Sequence, residues 1–130
     1  MLTTLTIVFM ACKKDKSDDP APPAPSPAEG FWLGKYTTNG VFGQDNYAML
    51  IKAGGFVRIY DLGTKTDTST LSSLSKVTGI WTLIGNMVQT TYLTGTKTVN
   101  TTATLNAAKT QMAGTWAFDG AVKGNIELSK

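Results

Sequence analysis

From Gly30 to Lys130 the chain alternates apolar and polar positions. Val122, Gly124, Ile126 and Leu128 fall on one face of an extended segment, and Lys123, Asn125, Glu127 and Ser129 on the other. The same period of two groups Val77, Gly79, Trp81 and Leu83, then Val99, Thr101, Ala103 and Leu105, then Met112, Gly114, Trp116 and Phe118. One dry face and one wet face per segment is the signature of antiparallel strands, and no long period-3.6 stripe competes with it. The alternation predicts eight strands, near 31–38, 46–53, 56–62, 77–84, 87–94, 97–106, 111–118 and 121–129.

Turn chemistry separates these runs. Asn39-Gly40, Gly54-Gly55, Gly85-Asn86 and Asp119-Gly120 are two-residue hairpin signals, because types I′ and II′ require positive φ, which Gly and Asn tolerate. Thr94-Gly95 and the stretch from Asn106 to Lys109 are weaker ones. Short turns between nearly all consecutive strands give an up-and-down meander, and a meander of this length loses its exposed edges by closing. The fold class expected is therefore all-β, a small eight-stranded antiparallel up-and-down β-barrel over residues 30–130.

An internal echo supports a regular architecture. VTGIWTLIGNMV (77–88) and MAGTWAFDGAVK (112–123) share Gly-x-Trp-x-(Leu/Phe)-x-Gly, and the domain opens on Gly30-Phe31-Trp32-Leu33-Gly34-Lys35-Tyr36. A Trp on the dry face beside Gly can lie across a neighbouring backbone. With this opening, the eight-strand meander and the closing GTWAFDG…GNIELSK, the domain resembles small bacterial lipocalin-like domains and, more loosely, the calycin group that includes avidins and fatty-acid-binding proteins. The helix of larger lipocalins is missing from the pattern. What the resemblance implies is noncatalytic binding of a small apolar or amphipathic ligand.

The first 29 residues follow different rules. Leu2 to Ala11 (LTTLTIVFMA) is apolar but far short of the roughly 20 residues that span a bilayer, so it reads as the apolar region of a signal peptide, residues 1–11. The alternative is a buried first strand with Cys12 as a small hydrophobe. Ala11-Cys12 resembles the lipobox of bacterial lipoproteins, cleaved just before a diacylated cysteine, although Phe9 and Met10 depart from the usual pattern and no Lys or Arg precedes the apolar run. Residues 12–29 then read as a lipidated cysteine and linker. KKDKSDD is a solvated charge run, and prolines at 20, 22, 23, 25 and 27 exclude a helix and favour a semi-rigid spacer of about 3 Å per residue. Asp18-Asp19 resembles a surface-export signal, and Lys13 stands where an inner-membrane retention signal has Asp. The expected location is the outer membrane, lipid-anchored, with the domain periplasmic or surface-exposed.

Composition narrows the chemistry. The chain has no His and one Cys, and the domain's acids are Asp45, Asp61, Asp67, Asp119 and Glu127. No phosphate loop, metal-ligand spacing or catalytic motif is present, so neither enzymatic activity, a cofactor nor a metal is expected. Nine Lys and Arg against those five acids make the domain mildly basic, but no basic run interleaves with the aromatics, which argues against nucleic acid. The ligand-binding candidates are Trp32, Tyr47, Tyr60, Trp81, Tyr92 and Trp116, read as inward aromatics at one barrel mouth; the competing reading is that they fill the barrel. Arg58, at period two from Phe56 and Tyr60, either snorkels outward, closes the barrel on an aromatic ring or meets ligand. The connection GTKTDTSTLSSLS (63–75) is long enough to carry function, with Leu71 and Leu74 spaced to pin one helical turn over the mouth.

The partners expected are the membrane through Cys12, a small apolar ligand and, in a second reading, an envelope protein. That second reading is a protein-binding module, an inhibitor or accessory subunit whose barrel is filled with side chains. Replacing Cys12 by Ser is expected to move the protein from the membrane fraction to the soluble one; unchanged fractionation excludes the anchor.

Overall fold

A computed structural model describes residues 24–66, 68–69, 71 and 76–130. Cys12 and residues 1–11 lie outside the described residues. The strands are β1 (Gly30–Tyr36), β2 (Asp45–Lys52), β3 (Phe56–Gly63), β4 (Lys76–Ile84), β5 (Met87–Thr94), β6 (Lys97–Leu105), β7 (Gln111–Phe118) and β8 (Ala121–Ser129). Each pairs antiparallel with the next, and β1 pairs with β8 from Leu33↔Ser129 to Tyr36↔Ile126, which closes the barrel. Strand bounds fall within two residues of those read from the alternation.

The turns show where local sequence decides. Asp119 (φ 52°) and Gly120 (φ 86°) join β7 to β8 as the two positive-φ residues of a type I′ turn. Asn39-Gly40 behaves differently. After β1 the chain stays bonded to β8, with Thr37 N–H donating to the Asn125 carbonyl at 2.9 Å and Asn39 N–H to that of Lys123 at 2.6 Å. The return to β2 is therefore delayed: Asn39-Gly40 turns the chain, with Val41 N–H donating to the Thr38 carbonyl at 3.0 Å, but residues 37–44 form a longer connection in place of the two-residue hairpin expected there.

The connections divide between the two ends of the barrel. The base carries the β2–β3, β4–β5 and β6–β7 connections and both chain ends; the mouth carries β1–β2, β3–β4, β5–β6 and β7–β8. In the basal half the inward side chains of Trp32, Met49, Ile51, Val57, Val88, Leu105, Met112 and Leu128 pack into one buried cluster. Trp32 is its plug: it is 0% exposed, and its indole Nε1–H donates to the Ala28 carbonyl at 2.8 Å. Lys130 closes over it from outside, its Nζ 5.2 Å from the ring centroid and donating to the Pro27 carbonyl at 3.1 Å. Ala28 is itself fully buried, so the domain's packing begins inside the segment read as linker to residue 29.

The echo motif also has a steric reason. Trp116 lies opposite Gly124, and its Nε1–H donates to the Thr37 carbonyl at 2.8 Å. A Cβ at Gly124 would fall on that same carbonyl, and one at Gly114 on the carbonyl of Thr102. Glycine at these inward positions lets neighbouring backbone close in on the strands and leaves room for the ring.

Outside the barrel wall a second, small cluster joins Ala48, Tyr60 and Leu62 to Phe31, Leu50 and Leu71. This corrects two expectations. Tyr60 does not point to the interior, because Val57 and Ile59 take the inward parity of β3 and leave Phe56, Arg58 and Tyr60 outward. Leu71 packs on the wall beside Tyr60 and not across the mouth; Leu74 lies outside the described residues.

Trp32→Ala is expected to cost about 3–5 kcal/mol in denaturant unfolding, the range for removing a large buried aromatic ring. Trp116→Ala is expected to cost clearly less, because its ring is only partly buried.

Candidate functional site

The barrel interior is packed in its basal half and open in the other. The mouth half encloses a cavity of about 320 Å³ lined by Tyr36, Tyr47, Ile59, Asp61, Val77, Tyr92, Thr94, Val99, Thr101, Trp116, Phe118 and Ile126. Its position follows from parity. Each strand sends every second residue inward, and toward the mouth end of β1, β2, β3 and β5 that parity carries Tyr36, Tyr47, Asp61 and Tyr92. A wider depression of about 640 Å³ lies across β6, β7, β8 and β1, where Lys35, Ala113 and Glu127 stand on the solvent side. It is the larger of the two, but open surface on a wall isolates a ligand from water far less than a barrel lumen does.

The cavity walls are apolar and aromatic. Tyr36 meets Tyr47 edge-on at 5.9 Å and Trp116 at 5.7 Å between ring centroids, so the three rings brace one another. The polar groups are few and directed. Tyr47 Oη–H donates to Tyr92 Oη at 3.3 Å, which leaves the Tyr92 proton to offer. Tyr36 Oη–H donates to Asp61 Oδ2 at 3.3 Å, while Asp61 Oδ1 accepts from the Gly63 amide at 3.1 Å and is thereby oriented. Between the packed and open halves, Thr90 and Thr101 share a hydrogen bond at 2.5 Å, so neither buried hydroxyl is left unpaired.

Burial pushes the hydroxyls of Tyr36, Tyr47 and Tyr92 above the usual tyrosine range. For Tyr36 the negative charges of Asp61 and Asp45 add to desolvation; for Tyr47, which is 5% exposed, its bond to Tyr92 does. At neutral pH all three are neutral donors.

Three of the six aromatics read as site candidates line this cavity: Tyr47, Tyr92 and Trp116. Trp32 and Trp81 sit at the base. Trp32 is the plug, and Trp81 closes the β2–β3 turn, its Nε1–H donating to the Lys52 carbonyl at 2.7 Å. Tyr60 is outside the barrel altogether. The six are thus split between two ends and two faces, not gathered at one mouth. Tyr36, Asp61 and Phe118 join the site without having been singled out. Period two did contain them: Tyr36 shares parity with Trp32, Asp61 with Val57 and Ile59, and Phe118 with Trp116. Arg58 takes its outward option, beside Lys52, Phe56 and Thr78 on the wall.

No protein-family model matches the chain, and no curated protein matches it either. Solved structures do. A redesigned β-barrel is similar to it at 17% identity with a TM-score of 0.53, over 80% of this chain and 91% of that one. A likeness at that identity establishes the shared barrel fold and nothing finer. A second redesigned β-barrel, mFAP1, bound to DFHBI, matches at 16% identity and a TM-score of 0.48, over 80% and 95% of the two chains. Fatty-acid-binding protein 1 of Echinococcus granulosus matches at 13% identity and a TM-score of 0.44, over 80% and 97%.

The raised tyrosines make stability pH-dependent in one direction. Below the unfolded tyrosine value of about 10 their contribution is complete; as pH climbs from there toward the folded values, the unfolded chain ionises first and stability falls. Urea unfolding between pH 8 and 11 is expected to show this decline, and Tyr47→Phe to make it shallower. An unchanged slope in the variant would mean that Tyr47 is not held neutral.

Proposed function

We propose that this protein is a noncatalytic binding barrel, anchored to the outer membrane through lipidated Cys12, that takes a small apolar or amphipathic ligand into its mouth half. The observation that carries the reading is the cavity of about 320 Å³, open at one end only, with apolar walls and a few converging hydroxyls. That volume lies at the lower end of the range for small-molecule sites, about 300–1,000 Å³. A compact ligand fits it; a long-chain lipid would have to leave most of its tail outside.

Residues 24–29 reach the barrel at its base, where Ala28 and Trp32 seal it. The proposed tether thus joins the domain at the end opposite its mouth. The second reading, a protein-binding module, has one observation in its favour: Val41 and Phe42, on the β1–β2 connection at the mouth, are 65% and fully exposed. The two readings separate on the cavity itself.

Nile red, a neutral apolar dye, is expected to bind the full chain with a blue-shifted emission. Val77→Phe, which fills the cavity from its wall, is expected to abolish that signal at unchanged circular dichroism. Binding that survives the filled cavity, or no binding at all, would refute the pocket and turn the search to partners of the mouth loops.

A further inference from the structure

The cavity carries a charge signature that narrows the ligand class. Among the described residues that line it, Asp61 is the charged side chain, and Lys and Arg are missing from the lining. Asp45 stands directly across from Tyr36 on the neighbouring strand, so a second carboxylate borders the same rim. Of the lysines at the mouth end, Lys97, at the start of β6, is paired with Asp119 at 2.8 Å, and Lys65 and Lys123 stand outside the cavity lining. Asp61 is also fixed in place, its Oδ1 held by the Gly63 amide and its Oδ2 receiving the Tyr36 hydroxyl.

Resting on the pocket reading above, we infer that the barrel selects a small amine with an apolar or aromatic body, its ammonium placed at the mouth beside Asp61 and its body among Trp116, Phe118 and Val99. The physical reasons act together. An ammonium supplies donors, and Asp61 and the Tyr36 oxygen are acceptors. A cation beside low-dielectric walls is attracted by the carboxylates and by the electron-rich faces of aromatic rings. A carboxylate head group meets the opposite conditions, with like charge from Asp61 and Asp45 and no cation in the lining to receive it. Size points the same way, since the cavity accepts a ring with a short chain more readily than an extended acyl tail.

The test uses three probes that share one body: 4-phenylbutylamine, 4-phenylbutanol and 4-phenylbutyrate, titrated calorimetrically into the full chain at neutral pH and low salt. The expected order is amine over alcohol by about tenfold, with the carboxylate weakest. Raising ionic strength is expected to narrow the gap, because the mouth is exposed to screening. Asp61→Asn removes the charge and keeps an oxygen for the Gly63 amide, while its NH2 group turns to the Tyr36 hydroxyl oxygen, which can accept from it. It is expected to bring amine and alcohol within about threefold and to leave alcohol affinity unchanged, whereas a merely structural role for Asp61 would weaken all three probes together. Equal binding of the three probes by the unsubstituted protein overturns the charge assignment and leaves the pocket standing. Binding of none of them overturns both.

Discussion

Closing eight strands on themselves leaves an interior only a few side chains wide, and everything else in this molecule follows from how that width is shared. In the basal half it is spent on bulk: Trp32, Met49, Leu105, Met112 and Leu128 meet across the axis and exclude water. In the mouth half the inward positions are Tyr, Val, Ile, Thr and Asp together with Trp116 and Phe118, and their side chains line the wall and leave the centre open. A cavity is what remains. The Thr90–Thr101 hydrogen bond marks the change from one regime to the other, since two small hydroxyl side chains occupy a level that larger apolar residues fill nearer the base.

The seal at the base makes the cavity a site and not a channel. Trp32 would leave its indole N–H stranded in an apolar core if Ala28 did not present a carbonyl to it. That requirement draws the chain before β1 under the barrel, and Lys130, at the far end of the sequence, covers it from below. Both ends of the domain are thereby committed to the same face, and the opposite face is free to open. Indole N–H groups do the same work elsewhere: Trp81 ties β4 to the end of β2, and Trp116 ties β7 to the chain leaving β1. Each of the three tryptophans thus stitches together segments that alternation alone would leave as neighbours.

The mouth combines tyrosine donors that stay protonated at neutral pH with the acceptor side chain of Asp61. Burial keeps the Tyr47 and Tyr92 hydroxyls protonated, while Asp61, at the rim, retains access to water. A ligand therefore meets an apolar, aromatic body and a negatively charged entrance in one continuous space. This combination depends on β3 ending with an acid on its inward parity, two residues past Ile59.

The sequence by itself determined the strands, their order and most of the turns, because alternation and turn chemistry are local and the barrel is a meander in which consecutive strands pair. Period two also placed Tyr36 with Trp32, but it did not choose the inward face of β3, where Asp61 and not Tyr60 points inward. Only the tertiary structure decided which end of each inward row faced an empty space. Aromatic residues that look equivalent along the chain play opposite parts: Trp32 plugs the base, Trp116 lines the cavity, and Tyr60 lies outside because Ile59 and Val57 claim the interior. The delayed return after β1 was equally hidden, since Asn39-Gly40 does turn the chain but, with residues 37 and 39 bonded to β8, the turn does not lead straight into β2. Local preferences are legible from one chain position to the next; the sharing of a single interior among eight strands exists only once the first has met the last.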